Sequence, residues 1–377
     1  MSGKRLEVED DSLRKNAKSA VNSHKQPHSE FVPFVAYGAS ATTQDLIAVR
    51  VDSASGKLIP EFVQREPLGF EGAPVIFDTR HRLIYLASLR AETDEGNQLL
   101  VISIDSNGLL QRESEFRLEH GSAYLSLDRT GRFLLSASYF DGHVDVYRLD
   151  ERGIPKANVS TTYEGRDKAH SVLTSWNNHS VYVAYVDDQN ALFQYSFDEQ
   201  SGKLLPLDPP QAEVPAGIGP RHIAYHPTKP FVYFSNEQHV GATAYQITGA
   251  GQLRLLQVCH PGKLKPASDV AASDIKITPD GRFLYVGVRD FGESRVDAIH
   301  RYTVHDDGTL THEGKTDCDA IPWGLQLSPN GQHLLVTATE GGTLTAFKID
   351  NQGDLNKDMS IAWGNTIRAI AVVACER

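Results

Sequence analysis

Cysteine is scarce in this chain of 377 residues, which holds only Cys259, Cys318 and Cys375. They are far apart, and none forms a CxxC pair or a zinc-ligand spacing, so a zinc module and a disulfide framework are both excluded. An odd, sparse set fits a reducing compartment where thiols stay free. Long apolar runs are missing too, and no segment reaches the length of a membrane span. The first residues, MSGKRLEVEDDSLRKNAKSAVNSHKQ, lack the apolar core of a secretory signal. They predict a polar, flexible extension over residues 1–30, because such a segment cannot bury enough surface to order itself. Together these absences predict a cytoplasmic protein. Positive charge is also short. The formal net charge is -11 with no basic stripe, which argues against nucleic acid as a partner. There is no GxSxG, no P-loop, no HExxH and no Trp-Asp dipeptide of the kind WD-type scaffolds carry.

What the chain does have is a repeat. APVIFDTRHRLIYLASL from Ala73, AYLSLDRTGRFLLSASY from Ala123, SDIKITPDGRFLYVGVR from Ser273 and WGLQLSPNGQHLLVTAT from Trp323 share one pattern, an apolar strand, a turn and a second apolar strand. The period is about fifty residues, which marks a propeller or another repeat array. Units continue with a third strand, as in GHVDVYRLD and GTLTAFKID, followed by Asp, Asn and Gly turn chemistry. A weaker segment such as LLQVCHPG, Leu255 to Gly262, reads as the fourth strand. Four antiparallel strands repeated radially make a β-propeller blade.

The ends complete one another. FVAYGAS from Phe34 matches a second strand with no first strand before it, and IRAIAVVA from Ile367 matches a first strand with no second after it. The sequence therefore predicts an all-β, seven-bladed propeller over residues 31–377, its ring closed by the C-terminal strand joining the N-terminal blade. Closure removes the sheet edges that an open array would expose.

A repeat built for packing needs no charged residue at fixed positions. The column opening strand one contains Ala73, Ala123, His170, Arg221, Ser273, Trp323 and Arg368. The column closing strand two contains Gly38, Leu89, Tyr139, Val186, Glu237, Arg289 and Thr339. The strands are antiparallel, so both columns meet at one face of the disc. His170, Arg221, Glu237 and Arg289 should then converge at one mouth of the central channel, with Tyr139, Trp323 and Arg368 extending the wall. Singly, each residue reads more readily as part of a structural ion-pair ring than of a functional site. In register across adjacent blades they read as an anion pocket, because arginine forks bind carboxylate or phosphate bidentately and His170 can exchange a proton near neutrality. Strand alternation would turn His222 and Asn236 away from the channel as blade-core hydrogen bonders, with His222 orienting a neighbour. Asp187, Asp290 and Glu340 follow the second column and would line the rim. Only Glu237 reads as an inward carboxylate, too few oxygens for a calcium cage, so neither a metal nor a cofactor is expected.

At these residues the chain resembles the seven-bladed propeller lactonase family, which includes propeller-type 6-phosphogluconolactonases and 3-carboxy-cis,cis-muconate lactonizing enzymes. The resemblance runs from about Phe34 to the C-terminus. It is carried by IGPRHIAYHP, FVYFSNE, SDIKITPDGRFLYVGVRD and the shorter KAHSV. It implies functional roles for His170, Arg221, Glu237 and Arg289, the four that the columns select. The chain departs from the family where Lys168 and Ala169 precede His170, where Val288 precedes Arg289, and where Trp323 follows Pro322 in place of an arginine. The implied activity is hydrolysis of an acidic sugar lactone such as 6-phosphogluconolactone, without a metal. The alternatives are a cycloisomerase closing a carboxylated muconate to a lactone, and a non-catalytic propeller scaffold. The implied partner is a small anionic lactone or dicarboxylate; the sequence does not fix the oligomeric state.

Overall fold

The computed structural model describes residues 31–91, 96–262, 269–293 and 296–375. Residues 1–30, where the sequence predicts a flexible extension, lie outside the described residues. Strands assemble into seven four-stranded antiparallel sheets. The first strand of each touches the first strand of the next, all the way round: Gly72–Asp78, Tyr124–Leu127, Ala169–Thr174, Pro220–Tyr225, Val270–Ile277, Pro322–Leu327 and Ala371–Ala374. That closed ring of inner strands makes the fold a seven-bladed β-propeller. The one helical element among the described residues is a 3₁₀ turn at Asp187–Gln189, and none of their helices is long and apolar enough to cross a membrane.

The apolar pattern explains the layering. Second strands such as Leu83–Ser88, Ser180–Tyr185, Phe231–Asn236 and His333–Ala338 are buried along their whole length, being covered by a neighbouring sheet on both faces. Outer strands such as Leu310–Asp317 alternate between covered and exposed residues, as half-solvated strands do. The core is therefore divided into clusters wedged between adjacent blades. One joins Val35, Tyr37 and Leu46 to Ile84, Leu86 and Leu100; another joins Tyr233, Ala242 and Ala244 to Ile275, Leu284 and Val286. Because packing is completed between sheets, the axis is left open. The turn TPDGR needs Gly281, which has φ +75° and sits where a Cβ would come within 2.6 Å of His226.

The termini meet as the split repeat requires. The strand Ala371–Ala374 pairs with Phe34–Ser40, from Phe34 opposite Ala374 to Tyr37 opposite Ala371. The regular ladder is shorter than the Ile367–Ala374 span read from sequence. Ile367 makes only an isolated bridge to Ser40, and Arg368 leaves the ladder so that its guanidinium reaches Glu71 at 3.0 Å. Gly38 permits the close approach here, since a Cβ would lie 2.6 Å from both Ile367 and Trp363. The weak fourth strand of the fifth sheet runs Leu253–Cys259, two residues earlier than its apolar segment suggests.

Candidate active site

A cavity of about 890 Å³ occupies the axis, and His170, Arg221, Glu237, Arg289, Tyr139, Trp323 and Arg368 all line it. Three of these side chains, His170, Arg221 and Trp323, come from inner strands through a repeated irregularity, while Tyr139, Glu237 and Arg289 stand at the ends of second strands. Pairing slips between Gly72 and Val75, Ala169 and Ser171, Pro220 and Ile223, Ala272 and Ile275, and Pro322 and Gly324. His170, Arg221, Ser273 and Trp323 sit inside four of these slips. A bulge re-aims side chains that a regular strand would alternate, and His170, Arg221 and Trp323 reach the cavity wall in this way. Serine hydroxyls lock adjacent blades at this level: Ser171 donates to the Arg221 carbonyl at 2.5 Å and Ser273 to the Pro322 carbonyl at 2.7 Å.

Glu237 stands between the two arginines. Its Oε1 accepts from Arg289 Nη2 at 2.5 Å and lies 3.5 Å from Arg221 Nε. Arg289 Nη2 also donates to the Ala272 carbonyl at 2.7 Å. Both guanidiniums are almost fully buried, Arg221 at 1% exposure and Arg289 at 2%. Burial and the neighbouring Arg289 push Arg221 down to about 10, against the opposing pull of Glu237, so it stays charged at neutral pH. Burial likewise lowers Arg289. One carboxylate cannot satisfy two forks. Arg221 Nε and Nη1 and Arg289 Nε are buried without a hydrogen-bond partner. Trp323 lies against all three cations, its ring centroid 4.3 Å from Arg289, 5.4 Å from Arg368 and 5.7 Å from Arg221, which offsets part of their desolvation.

His170 presents a different balance from the one its ordinary pKa suggests. Burial, followed by the fields of Arg221, His222 and Arg289, drives it well below the usual histidine value. It is therefore neutral across the physiological range, a correction to the reading of a group poised near neutrality. Its ring stands edge-on to Tyr139, with centroids 5.8 Å apart. Tyr139 donates to Asp187 Oδ2 at 3.0 Å, and Asp187 Oδ1 accepts from Gln238 Nε2 at 2.6 Å. Burial and the Asp187 carboxylate push the Tyr139 phenol up to about 12.

Sequence reasoning missed several residues of the wall, two of them on the His170 side of the cavity. His222 lines it, with its ring centroid 5.2 Å from that of His170. The alternation argument that turned His222 away fails because the slip between Pro220 and Ile223 brings Arg221 and His222 to the same cavity. Asp274 is the second, so Glu237 is not the only inward carboxylate. It accepts from His222 Nδ1 at 2.8 Å and pairs with Lys276 at 2.8 Å. The slip between Ala272 and Ile275 could have been suspected only from the polar pair Ser273–Asp274 opening an apolar strand. Asn236, by contrast, is fully buried and accepts from Thr243 Oγ1 at 2.8 Å, as a blade-core residue does. Of the three acidic residues read as rim, Asp187 holds Tyr139, whereas Asp290 is buried and accepts from the Gly292 and Val296 amides in its own turn. Glu340 is exposed and does not line the cavity. Among the described residues no group of three or more His, Cys, Asp or Glu side chains is placed to hold a metal ion.

Fold and site together define a class, a seven-bladed propeller with an arginine-lined cavity on its axis. Residues 37–367 match the family described as lactonase, 7-bladed beta-propeller. The chain is 33% identical over 255 residues to a 6-phosphogluconolactonase of Cronobacter sakazakii, covering 66% of this chain and 73% of the relative. It is 30% identical over 254 residues to a 6-phosphogluconolactonase of Erwinia tasmaniensis, covering 67% and 74%. Among solved structures, the periplasmic gluconolactonase of Pseudomonas aeruginosa superposes with a TM-score of 0.80 at 22% identity, over 91% of this chain and all of that one. The chain belongs to the seven-bladed β-propeller lactonase family.

Proposed function

We propose that the protein hydrolyses the lactone of an acidic sugar, with 6-phosphogluconolactone the leading candidate. One observation carries this reading. Arg221 and Arg289, which line the cavity, hold three buried guanidinium N–H groups with no hydrogen-bond partner, two on Arg221 and one on Arg289. Unpaired buried donors are costly, and an anion whose charge the cavity receives would satisfy them. Arg221 Nη1, buried without a hydrogen-bond partner, is a donor that suits a carbonyl oxygen that becomes negative when water adds. Arg289 and Arg368 then take the phosphate or carboxylate, and Glu237 keeps the two buried cations together. The positive charge that polarises the carbonyl comes from guanidinium groups, so the reading includes no metal.

Neutral His170 is suited to take a proton from the attacking water. The water oxygen bonds to the carbonyl carbon as its proton passes to the imidazole. The imidazolium then returns that proton to the ring oxygen as the carbon–oxygen bond breaks, and the acid formed ionises into solvent. An anionic substrate would offset the arginine fields that depress His170, so its basicity rises when it is needed. The relatives' names favour hydrolysis, and no observation favours the lactone-forming direction. The test is a panel of freshly prepared 6-phosphogluconolactone, glucono-δ-lactone and a carboxylated muconate, following acid release and ultraviolet absorbance. Acceleration of the phosphorylated lactone above its spontaneous opening, and more than of the uncharged one, is expected. If no lactone opens faster with the protein than without it, the reading fails.

A further inference from the structure

The cavity contains two more unpaired atoms, and they lie on neighbouring rings. His170 Nδ1 and His222 Nε2 are each buried without a hydrogen-bond partner, while the ring centroids are 5.2 Å apart with planes inclined by 60°. No hydrogen bond joins them as the rings are placed, but at that centroid separation a rotation of the His170 ring brings the two nitrogens within hydrogen-bond reach. The other side of His222 is fixed. Its Nδ1 meets Asp274 Oδ1 at 2.8 Å. Asp274 is anchored in turn by Lys276 Nζ at 2.8 Å to each oxygen, by the Ile275 amide at 2.8 Å and by the Leu325 amide at 3.0 Å from the next blade. Burial works to raise this carboxyl, but Lys276 and His222 hold it well below the usual carboxylate range. It is therefore always an acceptor.

We infer that Asp274 and His222 form a positioning relay that fixes the tautomer of His170. An ionised Asp274 requires the proton of neutral His222 on Nδ1, which leaves Nε2 as a lone-pair acceptor. His170 Nδ1, the orphaned nitrogen on the neighbouring ring, satisfies it as a donor. His170 then carries its proton on Nδ1 and offers Nε2 as the base, and the imidazolium formed in the reaction is stabilised through His222. The logic is that of a carboxylate orienting a histidine base, extended by one ring. The charged groups facing His170 are Arg221 and Arg289, and those facing His222 are Asp274, Arg221 and Lys276; Tyr139 and Tyr124 close the remaining sides as ring contacts. Burial and Arg221 push His222 down to about 4, so it too is neutral where the relay operates.

The inference rests on His170 acting as the base, but its test need not. Full-length protein carrying ¹⁵N-labelled histidine rings reports tautomers by the ring-nitrogen shifts, with His170 and His222 assigned from single variants. His170 and His222 are expected as Nδ1–H tautomers in the wild type. His222→Phe, which keeps the ring and leaves the Asp274–Lys276 pair in place, is expected to move His170 toward the Nε2–H form. In the lactone assay, His222→Phe and Asp274→Asn are expected to lower kcat by about 10²-fold with KM within about threefold, the pattern of a lost orienting group. A wild-type His170 protonated on Nε2, or a tautomer unmoved by His222→Phe, would overturn the relay. Absence of lactone turnover with the expected tautomers would instead leave the relay standing and remove the proposed function.

Discussion

Arg221 is the only described residue with two buried side-chain nitrogens lacking a partner, and its chemistry depends on shape as well as charge. Arg221→Lys would keep the cation but replace a planar fork by a point charge. A loss of about 10²-fold in kcat/KM, some 2.7 kcal/mol, is expected, and steady-state rates on 6-phosphogluconolactone check it. A variant within twofold of wild type would show that no bidentate contact is made. His170 makes a second prediction, from the sign of its shift. A base whose pKa is depressed in the free protein stays active as pH falls, until pH passes through that lowered value. The acid limb of kcat/KM should therefore lie well below the ordinary histidine value of about 6.5. The limb of kcat should lie higher, because a bound anion offsets the arginines. His170→Ala should lower kcat by about 10²–10⁴-fold and remove both limbs. A limb near the ordinary value that survives His170→Ala would assign the proton transfer to another group. At this scale the sequence reveals much. His170, Arg221, Glu237 and Arg289 are polar residues at aligned positions of a repeat that packing does not require. Their pKa values are not legible there, because burial and the mutual approach of two arginines are properties of the closed ring.

At the scale of strands, the inner strand is where reading and structure part. Periodicity of two assigns facing correctly along the buried second strands, which pair without slips to their third strands in the fourth, fifth, sixth and seventh sheets. It fails at the openings of the first strands, because a slip there puts Arg221 and His222 on the same cavity. No proline or glycine inside SDIKI gives the bulge away, and in PRHIAY the only such residue, Pro220, stands at the strand's opening, where proline is ordinary. The C-terminal strand tests the element reading directly. Ala371 and Val373 are 2% and 4% exposed and pack with Val35 and Tyr37 in the first interblade cluster. Removing residues 367–377 would uncover that cluster, at about 1.5–3 kcal/mol for a valine alone, and would open an edge on Phe34–Ser40. The truncated chain is expected to be insoluble, or to melt at least 10 °C lower in a thermal scan. Unchanged melting would contradict closure of the ring by this strand.

Across the whole molecule the charge is divided by place. The chain carries a formal net charge of -11, yet its axis holds Arg221, Arg289 and Arg368 around one tryptophan. A low-dielectric channel concentrates that local field, so the proposed anionic substrate would be drawn to the axis against the net negative charge of the chain. Blades packed by interblade clusters keep the site rigid, since the serine bonds from Ser171 and Ser273 tie each strand opening to its neighbour. The repeat makes this architecture legible from sequence; the cavity's size and the pairing of Glu237 with both arginines are not, because they depend on how far apart the inner strands stand. The most direct measurement is the initial rate of 6-phosphogluconolactone opening, over its spontaneous rate, for the wild type and for Arg221→Met in parallel. Rapid hydrolysis by the wild type and a loss of at least about 10²-fold in the folded variant is the expected result. Equal rates for the two proteins would contradict an active site built on the unpaired donors of Arg221.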